Sequence, residues 1–200
     1  MQALIVVAHP DPQSLTHAVA ARLAAGLAES GHRAETADLA AEGFDPRFNA
    51  GDIEGFYRRE DAPADVLAEQ ARIDRADALA LVFPVYWWSM PALLKGWVDR
   101  VFANGWAYDE ADGRVVKQLQ RLKVHLIGVG GAGRRTYAKH GYEAAMKTQI
   151  DHGIFDYCGA QVRTSELLLH TSPEEAAAQL QTAFELGRGL FAEQALVGAA

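Results

Sequence analysis

Cysteine is almost missing from this 200-residue chain, and because Cys158 stands alone no intrachain disulfide can form. Basic residues are the minority, 19 against 26 acidic. The resulting charge of −7 argues against nucleic acid as the main partner and gives no reason to expect an anionic membrane surface. No apolar run reaches membrane length; the longest, residues 78–88, is interrupted by Pro84, so no membrane insertion is expected. The opening MQALIVVAHP lacks the basic-plus-apolar pattern of a leader. With a free thiol, this sets the expectation of a soluble, cytoplasmic protein. Repeats, low-complexity tracts and linker-like breaks are missing too, so one domain over residues 1–200 is expected. GxxxxGK(S/T) does not occur, which removes the best-known nucleotide phosphate loop, and no metal site is expected.

What is present is an alternation of strand-length apolar runs and helical spacing. Residues 3–8 (ALIVVA) read as a buried strand, and 14–28 as a helix with Leu15, Val19, Leu23 and Leu27 on one stripe, ended by Gly31. Residues 33–39 give a second strand, 66–76 a short helix, 79–83 a third strand, and 90–102 a helix through Leu94, Trp97, Val98 and Val101. A fourth strand at 124–128, a helix at 142–157, a fifth strand at 162–169 and a last helix at 173–193 complete the pattern. Ser172 caps that last helix, with Glu175 three residues on. This predicts an α/β fold: a doubly wound five-stranded parallel sheet of flavodoxin-like order 2-1-3-4-5, with right-handed crossovers and helices on both faces. One long irregular region, residues 40–65, carries Phe44, Phe48, Phe56 and Tyr57, which either serve function or simply pack.

Three chemical signals follow strands one, three and four. After the first strand, His9-Pro10-Asp11-Pro12-Gln13-Ser14-Leu15-Thr16 leads into a helix start that offers free N–H groups and hydroxyls to a phosphate, or merely an N-cap at Ser14. After the third, Pro84 ends the strand and Val85, Tyr86, Trp87 and Trp88 crowd its carboxyl end, before Ser89 caps and Pro91 opens the next helix. Two adjacent tryptophans suit a flat aromatic ligand, or else, with Tyr86, cover a dimer interface or fill core. After the fourth, Gly128, Gly130, Gly131 and Gly133 fall within six residues, followed by Tyr137 and His140. In the expected strand order these three ends are neighbours, where open α/β sheets bind ligands.

ALIVVAH, VFPVYWWSMPALLKGWVDRVF, the Trp106-Ala107-Tyr108 triplet, Gly130-Gly131 with Tyr137, and YCGAQV at 157–162 together resemble the NAD(P)H:quinone oxidoreductase family, DT-diaphorase-like flavoproteins of flavodoxin-like fold. The resemblance spans about residues 3–170, and DLAAEGFDP at 38–46 is similar to the family's long loop. It implies a two-electron flavin reductase acting as a homodimer, with FAD favoured over FMN and NADPH or NADH as donor. Hydride would pass from nicotinamide to flavin N5 and then to a quinone on the same face, with ping-pong kinetics. Matched position by position, flavin phosphates fall on His9, Ser14, Leu15 and Thr16. The isoalloxazine falls on the run Pro84, Val85, Tyr86, Trp87 and Trp88, and its pyrimidine edge on Gly130 and Gly131. Tyr137 matches the active-site tyrosine.

The family's active-site histidine is matched without gaps by Glu143, with His140 three residues earlier, so proton handling is open between Tyr137 and His140. Of the tyrosine pair that a second subunit supplies, only Tyr108, beside Trp106, is present; Glu110 holds the other place. Arg134 and Arg135 either bind the extra phosphate of NADPH or are solvated. The resemblance leaves open a regulatory flavoprotein subunit of a potassium efflux system and an azo or nitro reductase; a plain electron-carrying flavodoxin would not need so roomy an aromatic pocket.

Overall fold

The computed structural model describes residues 1–111 and 113–192. Five parallel strands form the central sheet: β1 (Gln2–Val7), β2 (Arg33–Asp38), β3 (Ala78–Pro84), β6 (Lys123–Gly130) and β7 (Gln161–Leu169), in the order β2-β1-β3-β6-β7. The expected strand order is therefore present, with β4 (Tyr108–Ala111) and β5 (Arg114–Lys117) set apart in a hairpin. The chain has the flavodoxin-like fold. β1 and β3 are buried on both faces, which is why they read as continuous apolar runs rather than alternating ones. Leu4, Val6, Leu79, Leu81 and Phe83 pack on one face with α3 (Ala64–Arg75) and α4 (Ala92–Val101). Ala3, Ile5, Val7, Ala80 and Val82 pack on the other with α1 (Leu15–Glu29) and α7 (Pro173–Gly189). A methyl on Gly26 would run into the Phe184 carbonyl, and one on Gly187 into the Leu23 carbonyl, so two glycines let α1 and α7 meet backbone to backbone.

Several expectations need correcting. The 40–65 region holds a helix, α2 (Ala50–Phe56), capped by Asn49 and Asp52 in a reciprocal box. Buried Arg100 clamps it: its Nε lies 3.0 Å from both Asp52 oxygens, and its fork reaches Asp65 and the Asp45 carbonyl. Residues between α4 and β6 form an antiparallel hairpin, β4 (Tyr108–Ala111) with β5 (Arg114–Lys117), for which the Asp-Gly pair at 112–113 is the sequence signal. A short helix, α5 (Arg134–His140), precedes the 142–157 helix. The latter is α-helical only as α6 (Tyr142–Met146) before widening into a π-helix, Lys147–Asp156. Ser89 does not cap α4; Pro91 holds that position, and the Ser89 hydroxyl donates instead to Gln149 Oε1 at 2.8 Å. Ser172 caps α7 as expected, and residue 193 of the predicted last helix lies outside the described residues. No helix of the described residues is long and apolar enough to cross a membrane.

Candidate functional site

The carboxyl ends of β1, β3 and β6 lie side by side at the point where the strand order changes direction: Val7 pairs with Val82, and Pro84 with Val129. The β1 end runs into α1. His9 Nδ1 lies 3.0 Å from the Asp11 backbone nitrogen and 3.2 Å from the Asp11 carbonyl oxygen, which hold the ring against the loop. Ser14 caps α1, its Oγ accepting from the His17 N–H at 3.3 Å. The N–H groups of Leu15 and Thr16 find no acceptor among the described residues, and the first turn carries no acid. These are the conditions under which a helix start accepts an anion.

After β3 the chain makes a tight turn. Tyr86 and Ser89 exchange both backbone hydrogen bonds at 3.1 Å, and the residues between them, Trp87 and Trp88, have φ of +50° and +62°. That left-handed geometry belongs to Asn and Gly; in tryptophan it is strained. Its result is that the Trp87 and Trp88 N–H groups have no acceptor among the described residues and Trp87 is 93% exposed. Trp88 is half-buried, stacked on Tyr142 at 3.8 Å and 11°, and edge-on to Tyr137 at 5.3 Å. Local strain of this kind concentrates where a ligand is held.

After β6, Gly130 is needed for a steric reason. A Cβ there would stand 2.8 Å from the Tyr137 hydroxyl and 2.8 Å from Leu169 Cδ2. Gly131 has open space around its missing Cβ, and its N–H has no acceptor among the described residues. Tyr137 is 1% exposed, its hydroxyl makes no hydrogen bond among the described residues, and burial pushes its pKa upward. It is a protonated phenol, with a donor to give, set against the Gly130 backbone.

The family model for the flavodoxin-like fold matches residues 1–186. NAD(P)H dehydrogenase (quinone) 1 of Rattus norvegicus is 32% identical over 196 residues, 86% of this chain and 71% of the rat protein. The chain belongs to this flavodoxin-like quinone reductase family. Among solved structures, NAD(P)H:quinone oxidoreductase from Methanothermobacter marburgensis superposes with a TM-score of 0.86 at 28% identity, covering 98% of each chain. General stress protein 14 of Treponema denticola, solved in complex with FMN, shares the fold at a TM-score of 0.69 and 24% identity, covering 95% of this chain and 99% of that one.

Within this family member, the residues singled out from sequence divide into two groups. His9, Ser14, Leu15 and Thr16, the run Pro84, Val85, Tyr86, Trp87 and Trp88, Gly130, Gly131 and Tyr137 all lie at the same three strand ends. His140 is exposed and its ring lies over Tyr142 at 5.3 Å and 26°, so it joins the Trp88–Tyr142 stack, whereas Glu143 is ion-paired with Lys147 at 3.0 Å. Trp106 and Tyr108 are not brought to this edge. Trp106 donates to Asp74 at 3.2 Å and meets Phe102 edge-on, and Tyr108 meets Tyr157 edge-on at 5.2 Å. Arg134 and Arg135 are exposed and form no ion pair among the described residues. Sequence reading missed Tyr142, whose stacking needs a positive-φ turn to present Trp88. It also missed His17, whose Nε2 lies 2.8 Å from Asp38 Oδ2 and whose Nδ1 lies 3.0 Å from Ser14 Oγ.

Proposed function

We propose that this chain is a flavin-dependent NAD(P)H:quinone oxidoreductase. The observation that carries the reading is the convergence of unpartnered backbone donors from three strand ends, Leu15 and Thr16, Trp87 and Trp88, and Gly131, around an aromatic cluster with a buried phenol. That donor set fits a flavin: phosphate at the start of α1, the ring system on the tryptophan turn, and the electron-rich pyrimidine edge toward the β6 glycines. When bound, the flavin supplies acceptance and return of a hydride. The chain supplies position and charge. Amide donors of Trp87, Trp88 and Gly131 would hold the ring edge, and the Tyr137 hydroxyl would offer a hydrogen-bond donor where negative charge develops on reduction. The exposed Trp87 leaves one side of that position open to a flat donor or acceptor such as NAD(P)H or a quinone.

FAD is the flavin favoured by the resemblance of the long loop; FMN, which the Treponema protein holds, is the alternative. The placement of Trp106 and Tyr108 away from the edge, together with 93% exposure of Trp87, fits a homodimer in which a second copy completes the pocket. The lone Cys158, buried with its pKa pushed up to about 11 by desolvation, suits a reducing cytoplasm. The test is direct: purified protein should be yellow, carry one flavin per chain, bleach with NAD(P)H and recover with a quinone. A colourless protein that binds neither FAD nor FMN would end the reading. A flavoprotein inert to both nicotinamides would move it to a regulatory role.

A further inference from the structure

His17 lies between two groups whose hydrogen-bonding capacity is fixed by their surroundings. Asp38 ends β2 beside Val7 of β1, and its Oδ1 accepts the N–H groups of Ala40 and Ala41 at 3.2 and 3.1 Å. Burial raises its pKa, but the hydrogen bond from His17 and those backbone donors outweigh that and hold it below the usual range, so the group is a carboxylate. A carboxylate only accepts, so His17 Nε2, 2.8 Å from Asp38 Oδ2, must carry a proton. The remaining freedom is at Nδ1, 3.0 Å from Ser14 Oγ.

Two protonation states of His17 therefore give two different serines. With His17 neutral, Nδ1 is a lone pair, the Ser14 hydroxyl spends its proton on it, and Oγ accepts the His17 N–H at 3.3 Å. Nothing is left to donate outward. With His17 protonated, Nδ1–H donates to Oγ, and the hydroxyl proton is free to turn toward a ligand beside the unpartnered Leu15 and Thr16 N–H groups. One proton thus adds a positive charge and releases a donor at the same place. The groups facing His17 are Asp38 from β2, His9 from the β1–α1 loop, with its ring edge-on at 6.3 Å, and Ser14 on α1 itself. The Asp11 backbone in that loop holds the His9 ring at Nδ1, and no acid sits in the first turn of α1.

We propose that Asp38 and His17 are positioning residues and that His17, held by the Asp38 carboxylate, takes up a proton when the phosphate of a flavin binds at Ser14. This rests on the flavin reading above. A phosphate ester draws the proton onto His17, the Asp38 carboxylate stabilises the imidazolium, and Ser14 becomes a donor. Riboflavin, which has the same ring and no phosphate, gains nothing from the arrangement.

The experiment is calorimetric titration of the full chain, freed of flavin, with FMN, FAD and riboflavin across pH 5.5–8.5 (roughly one unit either side of a histidine and beyond), in buffers of different ionisation enthalpy. Wild type should take up protons on binding FMN and lose affinity for it as pH rises, while riboflavin binding stays flat. FMN, whose terminal phosphate is a dianion near neutral pH, should show more uptake than FAD. His17→Gln should cost about tenfold in FMN affinity, roughly one charge-assisted hydrogen bond, remove the uptake, and leave riboflavin binding alone. Asp38→Asn should displace the uptake to lower pH. The titration of the phosphate itself, with a second pKa of about 6, is common to both proteins and drops out of the difference. Equal weakening of FMN and riboflavin in His17→Gln, with the proton uptake unchanged, would reduce His17 to a structural role and overturn the proposal. Failure of wild type to bind any of the three flavins would overturn the flavin reading itself.

Discussion

Replacing Trp87 by asparagine should stabilise the fold while loosening its hold on flavin. Trp87 is 93% exposed, so truncation gives up almost no buried area, yet its φ is +50°. The left-handed region costs an L-residue about 1–2 kcal/mol, and asparagine tolerates it better than other non-glycine residues. Trp87→Asn should therefore gain about 0.5–1 kcal/mol, which for a chain of this size is about 1–4 °C in Tm. Trp87→Gly relieves the same strain but frees the unfolded chain by about 0.5–1 kcal/mol, and should come out near neutral. Trp87→Ala keeps the strain and loses no packing, so it should stay within about 0.5 kcal/mol of wild type. Trp88 is the control: its φ is +62° but it stacks on Tyr142 at 3.8 Å, so Trp88→Asn loses burial and stacking together and should destabilise by about 1–3 kcal/mol. Urea and thermal unfolding of the flavin-free chain measure all four, and flavin fluorescence on titration measures the second half, where Trp87→Ala should weaken binding or slow turnover. If Trp87→Asn and Trp87→Gly both destabilise, the turn is not strained and its geometry needs another cause.

Tyr137→Phe should slow flavin reduction by NAD(P)H by about a hundredfold, as for loss of one donor in a water-excluded site, while leaving flavin affinity nearly intact. Adding His140→Ala should make the loss more severe, and wild-type bleaching rates by stopped flow in both variants would remove the two side chains from the mechanism. Asp52→Ala leaves the 2%-exposed Arg100 with only Asp65 and a carbonyl, and should cost about 3 kcal/mol in urea unfolding, the low end for breaking a buried pair; a loss under about 1 kcal/mol would show that Arg100 is not clamping α2. His125 is 4% exposed, and desolvation, then the positive charges of Arg163 and Lys123, push its pKa down to about 4. The folded chain stays neutral there while the unfolded chain takes a proton near pH 6.5 or so. The stability this group supports is complete above about 6.5 and drains away as pH falls toward 4, by up to about 3 kcal/mol. His125→Asn should flatten that part of the pH dependence of the urea midpoint.

The three central strands were legible because β1, β3 and β6 are buried along nearly their whole length and so carry apolar runs. Elements held by contacts rather than by pattern were not. α2 contains Gly51 and Gly55 in seven residues and persists through its capping box and Arg100, a partner more than forty positions away. The π-helix has the apolar spacing of an α-helix, and nothing in Lys147–Asp156 announces the wider turn. At the site, residue types were readable but their backbone was not: a pair of tryptophans gives no hint of positive φ, since no propensity favours it. The Asp38–His17 contact spans 21 positions, and only the pairing of β1 with β2 brings Asp38 beside the α1 start.

A common cause ties these misses together. Local rules of sequence fail where a structure must face something other than itself. Trp87 and Trp88 break the rule for φ, and the Leu15, Thr16 and Gly131 amides go unpartnered. The Tyr137 hydroxyl has no acceptor among the described residues, and α5 opens on Arg134 and Arg135, cations placed where its dipole disfavours them and paired with no carboxylate among the described residues. Each is mildly unfavourable for the free chain, and all fall at the carboxyl ends of the three central strands or on the loops that leave them. Arg58, with φ of +55°, and the unpartnered Asn104 Oδ1 and His125 Nε2 lie elsewhere. One exception has many explanations; several of complementary chemistry on one edge, donors for an anion beside strained aromatics for a flat ring, are jointly relieved by a single phosphate-bearing aromatic ligand.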